Sequence, residues 1–362
     1  MKTMLLDKIS SVTRNAQLKR EVRIGAEIPC EEGVVIAARV LNDKSTYNQI
    51  ELPNGRMAQV KRGDVVAGCL GHRNALFGYS GRIPAALAPG DTIHLLNLGG
   101  VMGICDGVHP DLGAPFECGV LGSVLTFPVL GERITRPARI GNGPLPDTPA
   151  LDLGGIPVVA VLGSCMNAGK TAAACALVRE LAHRGATIDG AKATGVSLRR
   201  DILALEDAGA RTTTIFTDLG IVSTSASNAA AVTRMLLTRL AAERPDAILL
   251  ELGDGLLGAY GVDAILGDAE LSASFTAIVF AANDPVAAWG GVELLRRDFR
   301  LEPTVVTGPA TDNKAGSELI ERRVGVPAAN ARTSPERLTD LVAEALTAAR
   351  PKAALAAAGA RE

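Results

Sequence analysis

The chain has 362 residues, 47% hydrophobic and 21% charged, which is enough for two domains that each bury a core. A formal net charge of −2 leaves no electrostatic footprint for nucleic acid or an anionic membrane, although a small anionic substrate needs only a local charge. Lys2, Asp7, Lys8, Arg14, Lys19 and Arg20 crowd the first thirty residues without a long apolar run, which argues against a secretory signal, and no apolar stretch reaches the ~18 residues of a membrane span.

In chain order, the first half reads as β-rich. Val34 to Leu41 and Gln49 to Leu52 are strand-like runs, and Pro53-Asn54-Gly55 supplies a turn. Two phrases repeat a Gly-Asp turn that launches a β-branched strand, Arg62-Gly63-Asp64-Val65-Val66 and Pro89-Gly90-Asp91-Thr92-Ile93. The glycine-dense stretch 99–122, which also holds Cys105, Asp106 and His109, reads either as tight turns between strands or as a loop facing a ligand. Prolines and glycines from Pro137 to Gly155 mark a linker over 137–156, separating a domain 1–136 from a domain 157–350. Beyond the linker, strands expected at 157–162, 187–192, 212–216, 246–251, 276–282 and 303–307 alternate with helices near 169–184, 199–208, 226–243, 286–298, 314–324 and 334–349. That alternation implies an α/β domain whose parallel sheet is flanked by helices. Consecutive βαβ units usually pair, so strand 187–192 is expected beside strand 157–162. The Ala-rich end from Ala353 reads as a fraying helix or a tail. The six cysteines contain no C-x-x-C pair and the four histidines are dispersed, as for reduced thiols in a cytoplasmic protein without a zinc cluster.

Chemistry concentrates after the first strand of the second domain. The apolar run Pro157 to Leu162 leads into Gly163-Ser164-Cys165-Met166-Asn167-Ala168-Gly169-Lys170-Thr171, and a helix opens at Gly169. A strand, a glycine-started loop and a helix form the context of a P-loop, in which backbone N–H groups cradle phosphate. The strict pattern has four residues between its glycines; here five separate Gly163 from Gly169, so Ser164 takes the first-glycine position. Gly163, Ser164, Asn167, Ala168, Gly169, Lys170, Thr171 and Ala172 are the candidate nucleotide contacts. Lys170 would meet the β- and γ-phosphates, and Thr171 would take a place on Mg²⁺.

Glu251 ends an apolar strand at the edge where open α/β sheets bind ligands, and can hold Mg²⁺ directly or through water. Asp254, between two glycines, can serve instead or as well. Asp201 either joins the metal or caps the helix that follows, and Asp218 is a further, weaker candidate. Lys192 also ends a strand on that edge, where it would meet anions. Arg199 and Arg200 read as a solvated pair or as contacts for an acidic substrate. Asn283 and the loop 308–314 close the last strands and are candidates for base contact. Asn313-Lys314 is followed by Ala315-Gly316 and so forms no guanine motif, which leaves adenine, hence ATP, as the default.

The five-residue spacing resembles dethiobiotin synthetase, which has the same Gly-x5-Gly-Lys-Thr loop. In that family a second lysine follows the first by 22 residues, as Lys192 follows Lys170, although Thr194 here stands two residues on where the family has serine four residues on. The family's Glu-Gly-Ala-Gly-Gly is similar to Glu251-Leu252-Gly253-Asp254-Gly255. Asp201 to Ala210, an aspartate before a helix ending Ala-Gly-Ala, resembles the molybdopterin-guanine dinucleotide biosynthesis protein B family. The uncharacterised domain family DUF1611 has a similarly spaced P-loop and includes enzymes implicated in N-acylation of D-glutamate. The likeness spans residues 157 to 330.

These features lead to an expected ATP- and Mg²⁺-dependent cytoplasmic enzyme activating a small carboxylated substrate as a ligase or kinase, with Lys170 and Lys192 catalytic. Thr171, Glu251 and Asp201 form the metal set, and the protein could assemble as a homodimer. Two alternatives keep the fold: a nucleotide-driven switch or accessory protein, and an acetyl-CoA-dependent N-acyltransferase.

Overall fold

Alternation within single strands explains how the first half folds. In Val35–Val40, Val35 and Ala37 pack with Leu6, Val12, Ala67 and Val124, whereas Ile36, Ala38 and Val40 pack with Val66, Leu70, Met102 and Phe116. Both faces of the strand are therefore buried. The computed structural model describes residues 1–129, 132, 134–141, 143, 145 and 150–359, with side chains to residue 348. It divides into two units: Met1–Leu145 with Val196–Arg200 and Phe216–Ser223, and Pro146–Gly195 with Asp201–Ile215 and Thr224–Glu362.

The first unit carries an 11-stranded sheet. Its longest strand, Phe116–Thr126, pairs antiparallel with Glu21–Gly25, Val35–Val40, Thr92–Leu95 and Arg136–Pro137. Gln49–Glu51 and Met57–Gln59 form a separate hairpin around the Pro53-Asn54-Gly55 turn. The two Gly-Asp phrases adopt one turn twice. Asp64 accepts from the Lys61 amide at 2.7 Å and Asp91 from the Ala88 amide at 2.8 Å, and each turn precedes its strand. In the glycine-dense stretch, Asp106 pairs with Arg82 and His109 accepts from the Asp111 amide.

Residues 136–140, at the start of the expected linker, are woven into this sheet through the Ala138 amide to Val124 and the Val35 amide to Ala138. Pro144, Pro146 and Pro149 of that linker lie outside the described residues. Two segments from the second half of the sequence also belong to this unit. Asn97 Nδ2 donates to the Ser197 carbonyl and Glu51 accepts from the Arg199 amide, both at 2.8 Å. Glu32 Oε1 accepts from the amides of Val222 and Ser223.

The second unit has strands labelled here β1 (Val158–Gly163), β2 (Ile188–Thr194), β3 (Thr213–Ile215), β4 (Ala247–Leu252), β5 (Phe275–Ala281) and β6 (Val305–Thr307). All pair in parallel, in the order β3-β2-β4-β1-β5-β6. The expected pairing of β2 with β1 is corrected: β4 lies between them. The helices are α1 (Lys170–His183), α2 (Arg200–Asp207), α3 (Ala229–Ala241), α4 (Val262–Gly267), α5 (Ala269–Ser274), α6 (Pro285–Phe299), α7 (Lys314–Val324) and α8 (Pro335–Gly359). β1 and β4 are buried at every position, the signature of a sheet covered on both faces. Val159, Val161 and Leu249 join Leu177, Val178, Leu338 and Val342 from α1 and α8 in one core. The helices α4 and α5 are six residues each, too short for a helical period to be legible, and Asp268 separates them by capping α5. Among the described residues no helix is long and apolar enough to cross a membrane.

Packing of α6 on β5 supplies a test of the fold. A methyl group at Gly291 would overlap the buried ring of Phe280, while the adjacent Gly290 faces open space. Gly291→Ala should destabilise the protein by about 1–3 kcal/mol through overpacking. Gly290→Ala should be neutral or stabilising by up to about 1 kcal/mol. Chemical denaturation of the two variants reads the difference, and equal effects would contradict this packing.

Candidate functional site

The fully buried β1 carries the chain to Gly163, where it leaves the sheet between two neighbours. The Ser164 amide donates to the Ala281 carbonyl at the end of β5, at 2.9 Å, and the Leu256 amide, beyond β4, donates to the Gly163 carbonyl at 3.1 Å. Asn167 (φ 61°) and Gly169 (φ 95°) turn the backbone through the left-handed region, and α1 begins at Lys170. Amides in the first turn of a helix lack intrahelical acceptors, and with the helix dipole they favour an anion there. Gly255 lies against this loop, because a Cβ there would sit 2.5 Å from the Ser164 carbonyl oxygen.

Five charged or polar side chains converge beside the loop. Lys170 is 7% exposed, and its Nζ donates to the Cys165 carbonyl at 2.7 Å, so the ammonium is folded over the loop. Burial pulls its pKa below the usual lysine value, with Glu251 opposing. Thr171 Oγ1 donates to Glu251 Oε1 at 3.2 Å. On the other side of Glu251, Lys192 Nζ lies 3.8 Å from the same oxygen and also pairs with Asp201 in the first turn of α2. The register places Lys192 opposite Glu251 and Glu251 opposite Val161, a row across β2, β4 and β1. Burial pushes the Glu251 carboxyl above its ordinary value while Lys192 holds it down.

The remaining expected residues fall into three groups. Ala168 is buried within the loop, while Asn167 and Ala172 are exposed. Asn283 is exposed and donates from Nδ2 to Cys165 Sγ at 2.8 Å, and the neighbouring Asp284 caps α6. Asp218 and Arg199 belong to the first unit, where Asp218 pairs with Arg14. Sequence reasoning did not single out Asn330. It is buried, donates to Thr311 and Asp312, and accepts from the amides of Arg332 and Thr333, which fixes the loop after β6. No motif marks it.

Among the described residues no three His, Cys, Asp or Glu side chains converge as a metal site. The donors that are present are oxygens: the Thr171 hydroxyl and Glu251, whose Oε2 is buried without a hydrogen-bond partner. Hard oxygen donors of this kind suit Mg²⁺, which usually keeps waters and phosphate oxygens for its remaining positions.

A buried strand, the loop closing on Gly169-Lys170-Thr171 and the helix it opens, set inside a parallel sheet, define a P-loop nucleotide-binding fold. No known family model matches the chain, and no curated protein does. Solved structures similar to it include the signal recognition particle receptor FtsY from Elizabethkingia anophelis, at 14% identity and a TM-score of 0.36 over 51% of this chain and 65% of that one. The hydrogenase maturation factor HypB from Archaeoglobus fulgidus is similar at 14% identity and a TM-score of 0.37, covering 53% and 91%. A DUF1611 family protein from Anabaena variabilis is similar at 18% identity and a TM-score of 0.38, covering 57% and 64%. The chain thus spans less than two thirds of the FtsY and DUF1611 chains.

Lys170→Ala removes a buried positive charge and leaves the loop backbone intact. Nucleoside triphosphate affinity should fall at least about tenfold, or about 1.4 kcal/mol, with helical content retained. Fluorescence titration and circular dichroism check this, and unchanged affinity in a folded variant would contradict the assignment.

Proposed function

We propose that the chain is an ATP- and Mg²⁺-dependent enzyme that activates a small carboxylated substrate, as a ligase or kinase. The observation that carries this reading is the position of the Glu251 carboxylate, shared between the Thr171 hydroxyl and the Lys192 ammonium. One oxygen of Glu251 thus meets both the hydroxyl that would address a metal and a cation suited to an anionic acceptor. Lys170 would exchange the Cys165 carbonyl for a phosphate oxygen when nucleotide enters. Thr171 and Glu251 would hold Mg²⁺, which supplies neutralisation of charge on the β- and γ-phosphates. Lys192, steadied by Asp201, would hold the acceptor carboxylate beside the terminal phosphate and offset the repulsion between the two anions.

A carboxylate acceptor has no proton to lose, so catalysis reduces to positioning and charge stabilisation. Asn313 spends its side chain capping α7, with Oδ1 accepting from the Gly316 amide at 3.0 Å, which favours adenine over a guanine contact of the Asn-Lys type.

Turnover assays with a panel of small carboxylates test the reading. Wild type should release ADP faster with one of them. Lys192→Ala should bind ATP within a few-fold of wild type and lose that stimulation. Glu251→Gln should lose most activity and recover part of it at raised Mg²⁺ concentration. Stimulation by a protein partner alone would favour a nucleotide switch, and stronger thermal stabilisation by acetyl-CoA than by ATP would favour acyl transfer.

A further inference from the structure

Asp254 is a buried charge that the roles above leave unused. It follows β4 in the turn Gly253-Asp254-Gly255, at φ 69°, a left-handed backbone that glycine, asparagine and aspartate tolerate best. It is 7% exposed, and neither Oδ1 nor Oδ2 has a hydrogen-bond partner. Burial raises its carboxyl pKa, opposed by Lys170, which places Asp254 in the field of the phosphate-loop lysine. The fold keeps room for it, since a Cβ at Gly258 would overlap Oδ2. Desolvation and unmade hydrogen bonds both oppose folding, and buried polar groups without partners are rare. A ligand from outside the chain would complete such a group.

Charge indicates which ligand. Two ammonium groups, Lys170 and Lys192, stand against the carboxylates of Glu251, Asp201 and Asp254. A nucleoside triphosphate adds several negative charges to that set, and Lys170 cannot neutralise both Asp254 and the phosphates. Glu251 has one oxygen engaged by Thr171 and Lys192 and one without a partner, whereas both oxygens of Asp254 lack one.

We propose that Asp254 is a second carboxylate of the Mg²⁺–nucleotide site, acting on the cation directly or through its water and making phosphate binding conditional on the metal. The inference rests on the P-loop reading and adds to it a reason for the site to reject metal-free nucleotide.

The test uses the full chain and fluorescent ATP and GTP analogues, titrated in excess Mg²⁺ and in EDTA. Asp254→Asn and Asp254→Gly both suit a left-handed backbone and remove the charge. Wild type should bind far more weakly in EDTA than in Mg²⁺. In both variants the ratio of the two dissociation constants should fall at least about tenfold, and the ligand-free proteins should unfold at a higher temperature than wild type. A ratio equal to that of wild type would overturn the proposal; if turnover were lost at the same time, Asp254 would act on the acceptor instead. Wild type that binds nucleotide equally well with and without Mg²⁺ overturns this proposal alone. Wild type that binds no nucleotide in either condition overturns the P-loop reading and this proposal together.

Discussion

Lys170, Lys192 and Glu251 are each more than nine-tenths buried, and the cost of taking those charges out of water governs the rest of the site. Desolvation costs several kcal/mol per ion and is offset only where opposite charges and hydrogen bonds are held in place. The strand order provides this. With β4 between β1 and β2, a carboxylate stands between the lysine that opens α1 and the lysine near the end of β2. Were β2 paired directly with β1, no strand would place a carboxylate between the two lysines. The alternation of charge is thus a consequence of topology.

The surrounding backbone is shaped to the same end. Gly163 is pinned between the ends of β4 and β5, and Gly255 allows the turn after β4 to lie against the phosphate loop. These contacts fix where Lys170 and Asp254 project without committing either to a strong ion pair inside the loop. Lys170 makes one hydrogen bond, to a neutral carbonyl, and Asp254 makes none. A site assembled this way gives up stability in the free protein and regains it when ligand supplies the missing partners.

Much of this was legible in the sequence because the signals are local. An apolar run, a glycine-ended loop and Gly169-Lys170-Thr171 specify strand, turn and helix within fifteen residues. Among the described residues, all six strands of the second unit and six of its eight helices follow from runs of apolar or helical pattern in the sequence. What the residues could not show was non-local. Sequence order suggested that β2 neighbours β1, because nothing in either strand records that β4 intervenes. The attachment of Val196–Arg200 and Phe216–Ser223 to the first unit rests on Glu51, Asn97 and Glu32, ordinary polar residues in the sequence. Asp254 was visible as an aspartate between glycines. Its left-handed backbone and unpartnered oxygens emerge only once the turn is packed against the loop.

Amide hydrogen exchange on the full chain, with and without Mg²⁺ and ATP or GTP, tests the central claim most directly, because it reports where a nucleotide binds without requiring a known reaction. Ligand should slow exchange in residues 163–172, which form the phosphate loop and the first turn of α1, and in 251–256, which carry Glu251 and Asp254. Nucleotide that binds and leaves both segments unprotected, while slowing exchange elsewhere, would contradict it.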